Sequence, residues 1–361
     1  MKTYPYRNLA RFAGKVTALL VQFTDSNDPK HEKAEIFVAV ATLMPKTNPI
    51  DNPYFSSMRQ QKVLITGGSG LLGQRLTLLL QQKGYEVAHL GRKGGEKNGV
   101  VTHSWDPAQS VLDPKVLEGV DHVIHLAGAG VADKAWSAAR KQEIRDSRTQ
   151  STKLLVDAID FLPKKPKSLL SASAIGFYGN AGKQLCTEEN LVGSDFLASV
   201  CADWEASAAP AAAFTRLCTV RIGIVLSTEG GALPKMMLPF RFFAGGVLGS
   251  GKQMMSWVHI DDLCEMFLFL LENDQCHGIY NGVAPLPVEH YTFMKALGRA
   301  MRRPLWMWVP AFALRLALGE MADTVLGSQF VSNEKIQQAG FRFKHETVYQ
   351  ALTALIQNQK A

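Results

Sequence analysis

Between residues 62 and 228 the chain alternates short apolar runs with longer stretches whose apolar residues recur at the helical repeat. Strands are expected at Lys62–Thr66, Glu86–Leu90, around Val101–Trp105, and at His122–Ala127, Ser168–Ser171 and Thr219–Val225. Helices are expected at about Leu71–Lys83, stopped by Gly84, at roughly Ala135–Phe161 and at Phe196–Ala209. This rhythm predicts an α/β fold. Its centre is a doubly wound parallel sheet, covered by helices on both faces and joined by right-handed crossovers.

Past Val225 the rhythm loosens. Gly230-Gly231, Gly245-Gly246 and Gly249-Ser250-Gly251 mark a loop-rich region. Trp257–Asp262 reads as a short strand entering a helix, with an Asp placed to cap it. Further helices are expected at Asp261–Glu272, Glu289–Ala300, Ala311–Leu318 and Glu346–Asn358. The expected layout is a nucleotide-binding sheet domain at 58–228, with 254–285 contributing, and a smaller, mostly helical C-terminal subdomain at 229–361. The latter would close over the carboxyl edge of the sheet on the substrate side. Residues 1–57 share neither pattern. Met58-Arg59-Gln60-Gln61-Lys62 makes a natural beginning for such a sheet. The expectation is that Met58 is the working start and that 1–57 is a mis-assigned or loosely attached extension.

Chemistry enters at Lys62–Gly73. Gly67, Gly70 and Gly73 lie between a predicted strand and a predicted helix, the context that a Rossmann dinucleotide turn requires. Gly67 permits the tight turn, Gly70 lets the backbone approach a pyrophosphate, and Gly73 lets the helix pack on the strand. The candidate cradle is Gly67, Gly68, Ser69, Gly70, Leu71, Leu72 and Gly73, with free amides and the helix dipole facing the phosphates. A glycine-rich turn without a ligand is the alternative. In NAD-preferring sheets an acid at the end of strand two binds the ribose 2′-hydroxyl. Here that strand ends Leu90-Gly91-Arg92-Lys93, without a carboxylate. A guanidinium can fork onto a 2′-phosphate that an acid would repel. The cofactor expected is NADP(H), held at Gly91, Arg92 and Lys93 with Arg92 as the main contact; a solvated basic loop is the alternative.

Composition narrows the partners. The 361 residues are 47% hydrophobic and 20% charged, with a formal net charge of +7. That suits a sizeable core and an anionic small ligand. The basic residues are dispersed, so no nucleic-acid partner is expected. No apolar run reaches the ~18 residues of a membrane span, so no membrane partner is expected either. The five cysteines show no C-x-x-C spacing and point to reduced thiols in the cytoplasm. His122 and His125 fall on opposite faces of a strand, so no metal site is expected.

Taken together, these motifs resemble the extended short-chain dehydrogenase/reductases from Met58 to about Leu355. The matching segments are Thr66–Gly73, His125-Leu126-Ala127-Gly128, Phe177-Tyr178-Gly179 and Trp257–Asp262. More narrowly, the chain resembles their atypical "epimerase family" subgroup, whose members carry a C-terminal domain of unknown function. Its marks are Ser171–Gly179, Asp203-Trp204-Glu205, Gly249–Gln253, Asn281–Pro285, Arg303-Pro304 and Ala339-Gly340-Phe341. The resemblance implies that Leu126 and Ala127 lie beside the adenine or ribose. It also implies that Glu143 and Arg148 approach the cofactor from the long helix and that Val225 packs near the nicotinamide.

Most of that superfamily moves hydride with a serine and a Tyr-x-x-x-Lys pair, in which one helical turn sets the ammonium beside the phenol and lowers its pKa. The corresponding helix here offers only Phe196 with Val200, or Leu197 with Cys201. The usual serine position is Ala174, next to Ser173. Tyr178 and Ser173 are the candidate substitute acids, with pocket lining as the alternative for Tyr178. His259 is expected to bond locally at its helix start, and Gly249–Gln253 to offer backbone and an amide to a substrate. The expected function is an NADP(H)-binding oxidoreductase on an unidentified small carbonyl or hydroxyl substrate. The alternatives are a catalytically silent NADPH-binding regulator with a protein partner, the subgroup having been linked to cell division, and a sugar-nucleotide epimerase holding NAD.

Overall fold

The computed structural model describes residues 60–358; the expectations for 1–57 and for a start at Met58 lie outside the described residues. In chain order the principal strands are β1 (Lys62–Thr66), β2 (Glu86–Gly91), β3 (Gly95–Lys97), β4 (Val100–Ser104), β5 (His122–His125), β6 (Ser168–Ala174), β7 (Arg216–Ile222), β8 (Ile224–Leu226), β9 (Gly245–Leu248), β10 (Trp257–His259), β11 (Gly278–Gly282) and β12 (Leu305–Val309). Eight of them form one sheet in the order β11-β7-β6-β5-β1-β2-β4-β3. Neighbours are parallel except for β3, which runs antiparallel to β4 at the edge. The chain builds outward from β1 through β2 to β4, then crosses back to β5, β6 and β7. That reversal opens a crevice at the carboxyl ends of β1 and β5.

The principal helices are α1 (Leu71–Gln82), α2 (Ala138–Asp160), α3 (Phe196–Ala208), α4 (Ala232–Arg241), α5 (Ile260–Glu272), α6 (His290–Met301), α7 (Ala311–Leu318) and α8 (Val348–Asn358). Alternate residues of β1 point to opposite faces. Val63 and Ile65 pack with Leu76 and Leu80 of α1 and with Leu263 and Phe267 of α5. Leu64 packs on the other face with Leu155, Val156 and Ile159 of α2. The sheet is therefore doubly wound. A further cluster joins α4, α6 and α8 around Trp257, through Phe240, Phe293, Leu297 and Leu352. This is the helical C-terminal region.

Several elements differ from the sequence expectation. The sixth strand, expected to run from Thr219 to Val225, breaks at Gly223 into β7 and β8. There the chain changes partners: Gly223 N donates to Gly282 O at 3.1 Å, and Ile224 N donates to Ser256 O at 2.9 Å. β8 then pairs with β10 instead of continuing in the large sheet. The loop-rich region contains α4 and β9, and β9 pairs with β12. The edge strand β3 is a three-residue Gly-Glu-Lys segment, exposed throughout and too short and polar to show strand alternation.

The cap of α5 also differs. His259, not an aspartate, is the N-cap, its Nδ1 accepting from Asp261 N at 3.1 Å. The two aspartates tie α5 to other elements. Asp261 accepts from Arg75 Nε of α1 at 2.7 Å. Asp262 is buried and accepts from Lys344 N at 3.0 Å, His345 N at 2.9 Å and His345 Nδ1 at 3.0 Å. His345 stacks on His259 with ring centroids 3.8 Å apart. One buried carboxylate thus holds the segment at Lys344-His345 against α5.

Removing that carboxylate strands buried donors, so Asp262→Ala is expected to cost about 2–4 kcal/mol. Asp261→Ala, at a half-exposed surface pair, is expected to cost about 1 kcal/mol or less. Urea denaturation checks the ranking; equal midpoints for the two variants would contradict it.

Candidate functional site

The glycine turn sits at the end of β1, where the crevice opens. Gly67 has φ +71°, a conformation that L side chains rarely adopt, and its backbone lies against Leu126 and Ala127 of the β5 end. Gly73 lies in the first turn of α1, where a Cβ would stand 2.5 Å from Gly67 O. No side chain fits between helix and turn. Gly70 N donates to Gly67 O at 2.9 Å, and Gly70 caps α1 without a side-chain hydrogen bond. Ser69 is exposed, and its carbonyl accepts from Gln74 Nε2 at 2.6 Å. Leu71 reaches toward Gly230 and Gly231, and Leu72 packs against the core. The residues present fit a dinucleotide: a cradle that a methyl group would fill, at a helix N-terminus.

A buried relay fixes the β5 side of the crevice. Thr66 Oγ1 accepts from Leu126 N at 3.1 Å and Ala127 N at 3.2 Å, and bonds His125 Nδ1 at 2.7 Å. His125 Nε2 bonds Thr152 Oγ1 at 2.8 Å, and that hydroxyl donates to Arg148 O at 2.6 Å. The partners define a neutral ring with its proton on Nε2. Burial pulls the His125 pKa down to about 3. β1, β5 and α2 are thereby locked at one point, and the backbone of Leu126 and Ala127 is set beside the glycine turn. His122 faces the other way, bonding Ser168 Oγ at 2.8 Å. Among the described residues no group of His, Cys, Asp or Glu could hold a metal ion.

Gly91 ends β2, and Arg92 and Lys93 follow it, both exposed. Glu143 of α2 is exposed, and its carboxyl is held below the usual range, first by a 2.6 Å hydrogen bond from Arg140 Nη1. Lys134 and Arg92 add smaller effects of the same sign. Arg92 therefore lies within electrostatic reach of Glu143 on α2. Arg140 also donates to Gly130 O in the loop after β5. Arg148 is largely buried, donates to Ile144 O at 2.8 Å, lies against Gly128 and sits 5.1 Å from the Trp204 ring. Burial lowers its pKa. Val225 lies in β8 opposite Val258, near Gly231. The glycine turn, Arg92, Lys93, Leu126, Ala127, Glu143, Arg148 and Val225 thus all lie at or beside the carboxyl ends of the strands.

Ser173 and Tyr178 belong to a different arrangement. Arg221 of β7 is almost wholly buried and grips Glu205 of α3 with two hydrogen bonds of 2.8 Å. Ser173 Oγ donates to Glu205 Oε1 at 2.6 Å. Arg221 Nη1 donates to the Tyr178 hydroxyl at 3.0 Å, and that hydroxyl donates to Asn281 Oδ1 at 2.6 Å. Asn281 N in turn donates to Glu188 Oε1 at 2.8 Å. The guanidinium stacks 3.4 Å from the Phe177 ring centroid. Burial pushes the Tyr178 phenol up to about 12, against the pull of Arg221. Both candidate acids are hydrogen-bonded into this network. Glu205, Arg221, Asn281 and Glu188 were not singled out from the sequence, although Asp203-Trp204-Glu205 and Asn281-Gly282 stood among the subgroup marks.

On α3, Leu197 and Cys201 face Gly176. The helix contains neither tyrosine nor lysine. All five cysteines are free and buried, and burial raises Cys201 to about 12 and Cys218 to about 11. Gln253, expected to offer its amide to a substrate, is buried; its Nε2 donates to Leu248 O at 2.9 Å and shapes its own loop. Among the described residues no helix is long and apolar enough to cross a membrane.

Known proteins share this fold. Residues 63–281 match the NAD-dependent epimerase/dehydratase family, and residues 309–355 match a domain of unknown function, DUF1731. The epimerase family protein SDR39U1 homolog of Arabidopsis thaliana, a chloroplastic protein, is 36% identical, covering 82% of this chain and 87% of its own. The epimerase family protein SAR0825 of Staphylococcus aureus is 39% identical, covering 82% of this chain and 99% of its own. The human epimerase family protein SDR39U1, solved with NADPH, is 30% identical with a TM-score of 0.75, over 82% of this chain and 100% of that one.

Two measurements test this wiring. Glu205→Gln removes the charge that compensates buried Arg221 and is expected to cost about 3–5 kcal/mol in chemical denaturation; a cost under about 1 kcal/mol would mean that water replaces the carboxylate. The second is acid sensitivity. The unfolded chain protonates His125 near its usual 6.5, the folded chain only near 3. The contribution of His125 to stability is therefore whole above pH 6.5 and is lost as pH drops from there toward 3. His125→Gln is expected to flatten the decline of Tm with falling pH; an unchanged slope would remove His125 as a source of it.

Proposed function

The chain belongs to the NAD-dependent epimerase/dehydratase family, as an atypical short-chain dehydrogenase/reductase, and from that premise we propose that it is an NADP(H)-binding oxidoreductase acting on a small carbonyl or hydroxyl substrate. The observation that carries this reading is the end of β2. Arg92 and Lys93 stand there without a carboxylate, beside the glycine turn. A 2′-phosphate finds a forked donor at that position, whereas a bare ribose finds no acceptor. The human relative solved with NADPH supports the same choice. The amides of Gly67–Gly73 would receive the pyrophosphate, Leu126 and Ala127 would flank the adenosine, and Val225 would cover the nicotinamide side. The bound cofactor supplies or accepts a hydride. The five buried free thiols fit a cytoplasmic setting.

One observation favours a second reading. α3 lacks the tyrosine–lysine pair, and Tyr178 and Ser173 are hydrogen-bonded into the Arg221–Glu205 network. A catalytically silent NADPH-binding regulator with a protein partner needs no proton donor. Sugar-nucleotide epimerisation with NAD fits the basic end of β2 less well.

Calorimetric titration and a turnover screen separate these readings. Arg92→Asp is expected to weaken NADPH binding at least about tenfold while leaving NADH binding little changed; equal affinity for NADPH before and after the change would refute the assignment. NADPH oxidation by any member of an aldehyde, ketone and quinone panel supports the oxidoreductase. Tight NADPH binding without turnover across the panel supports the regulator.

A further inference from the structure

A cavity of about 390 Å³ opens where α6 ends and turns into β12. Its wall includes Tyr291, Lys295, Arg299, Arg302 and Arg303, and none of the residues placed at the cofactor crevice. Lys295, Arg299 and Arg302 follow one exposed face of α6 and its cap, while Phe293, Met294 and Leu297 bury the opposite face. Among the described residues, none of the four cations forms an ion pair with a carboxylate.

The arrangement works against helix stability. Lys295 and Arg299 are like charges one turn apart, which repel. Arg302 caps α6 at φ 55° and ψ 47°, a left-handed conformation usually left to glycine. The helix dipole rewards a cation in the last turn and so accounts for Arg299, but not for the convergence of three more charges on one hollow. Aromatic rings hold the site in shape. Arg303 lies 4.3 Å from the Phe243 ring centroid, and Trp306 Nε1 donates to Phe243 O at 2.7 Å. The volume is that of a small-molecule site, and the lining offers cationic donors with no acidic partner.

We propose that this cavity is a second anion site, independent of the dinucleotide crevice, which binds a phosphate-bearing ligand through Lys295, Arg299, Arg302 and Arg303. Fork-shaped guanidinium groups match phosphate oxygens, and the ligand's charge relieves the repulsion along α6. A soluble phosphoester and an anionic lipid headgroup present the same chemistry.

Titration of the full chain with inorganic pyrophosphate at low ionic strength tests the site. The double variant Arg299→Gln/Arg302→Gln is expected to weaken binding about a hundredfold, roughly tenfold for each charge-assisted hydrogen bond lost. Saturating NADPH, which would fill the glycine cradle, is expected to leave pyrophosphate binding in place. Both substitutions lie at exposed positions, so folding is preserved. A second arm sediments the chain with phosphatidylcholine vesicles with and without phosphatidylglycerol. Binding to phosphatidylglycerol vesicles that the double variant loses identifies a lipid headgroup as the source; binding to pyrophosphate alone identifies a soluble phosphoester. The proposal is overturned if neither arm shows binding that the double variant weakens, including the case where NADPH displaces the pyrophosphate and the double variant does not weaken its binding.

Discussion

The crevice depends on a close backbone approach between α1 and the turn that precedes it. At Gly73 the helix meets the carbonyl of Gly67 with no room for a methyl group. Everything at the crevice follows from that contact. It brings the first turn of α1 over the end of β1, aims its amides outward and leaves Gly67 pressed against the end of β5. Thr66, one residue earlier, completes the fit by bonding the amides of Leu126 and Ala127. A surface made of backbone is rigid here because the backbone is packed on both sides. Its shape depends on hydrogen atoms where other residues would place carbon.

A second centre lies under β6 and β7. In the wider superfamily the corresponding region is expected to carry the proton donor. Here a bidentate ion pair between Arg221 and Glu205 occupies it, with Ser173, Tyr178 and Asn281 satisfying the remaining donors and acceptors. Such a pair is costly to desolvate and yields little net stability, but it strongly disfavours any state in which one partner is missing. It joins α3, β6, β7 and β11 through one guanidinium. Chemistry at this position would first have to release a phenol that already has both a donor and an acceptor.

How much of this was legible beforehand depended on the range over which each signal acts. Strand–helix alternation and the glycine turn are local, so β1, α1, β5 and the long α2 were visible in the residues themselves. α7 was expected at Ala311–Leu318, and that is where it lies. The break at Gly223 was not visible, because Ile222 and Ile224 both suit a strand and only a change of partners separates them. The edge strand β3 was equally hidden by its brevity. At the site, Arg92 was readable as a basic residue ending a strand. Glu205 and Arg221 were not readable as a pair, since sixteen positions separate them and only the tertiary fold brings them together. The role of His259 is half legible: its local bond is expected from the sequence, whereas the hold of Asp262 on His345, 83 positions away, has no local signal.

The thiols carry a consequence of their own. Each cysteine side chain is enclosed, and for Cys201 and Cys218 burial shifts ionisation so far that thiolate is scarce at neutral pH. Thiolate is the nucleophile in alkylation and disulfide exchange. The native molecule is therefore nearly inert toward alkylating reagents, and each sulfur becomes reactive only when the element above it lifts away. Cys201 on α3 and Cys264 on α5 lie in different parts of the molecule. Their separate labelling rates would act as two built-in clocks, one timing the opening of the α3 layer and the other timing the release of α5.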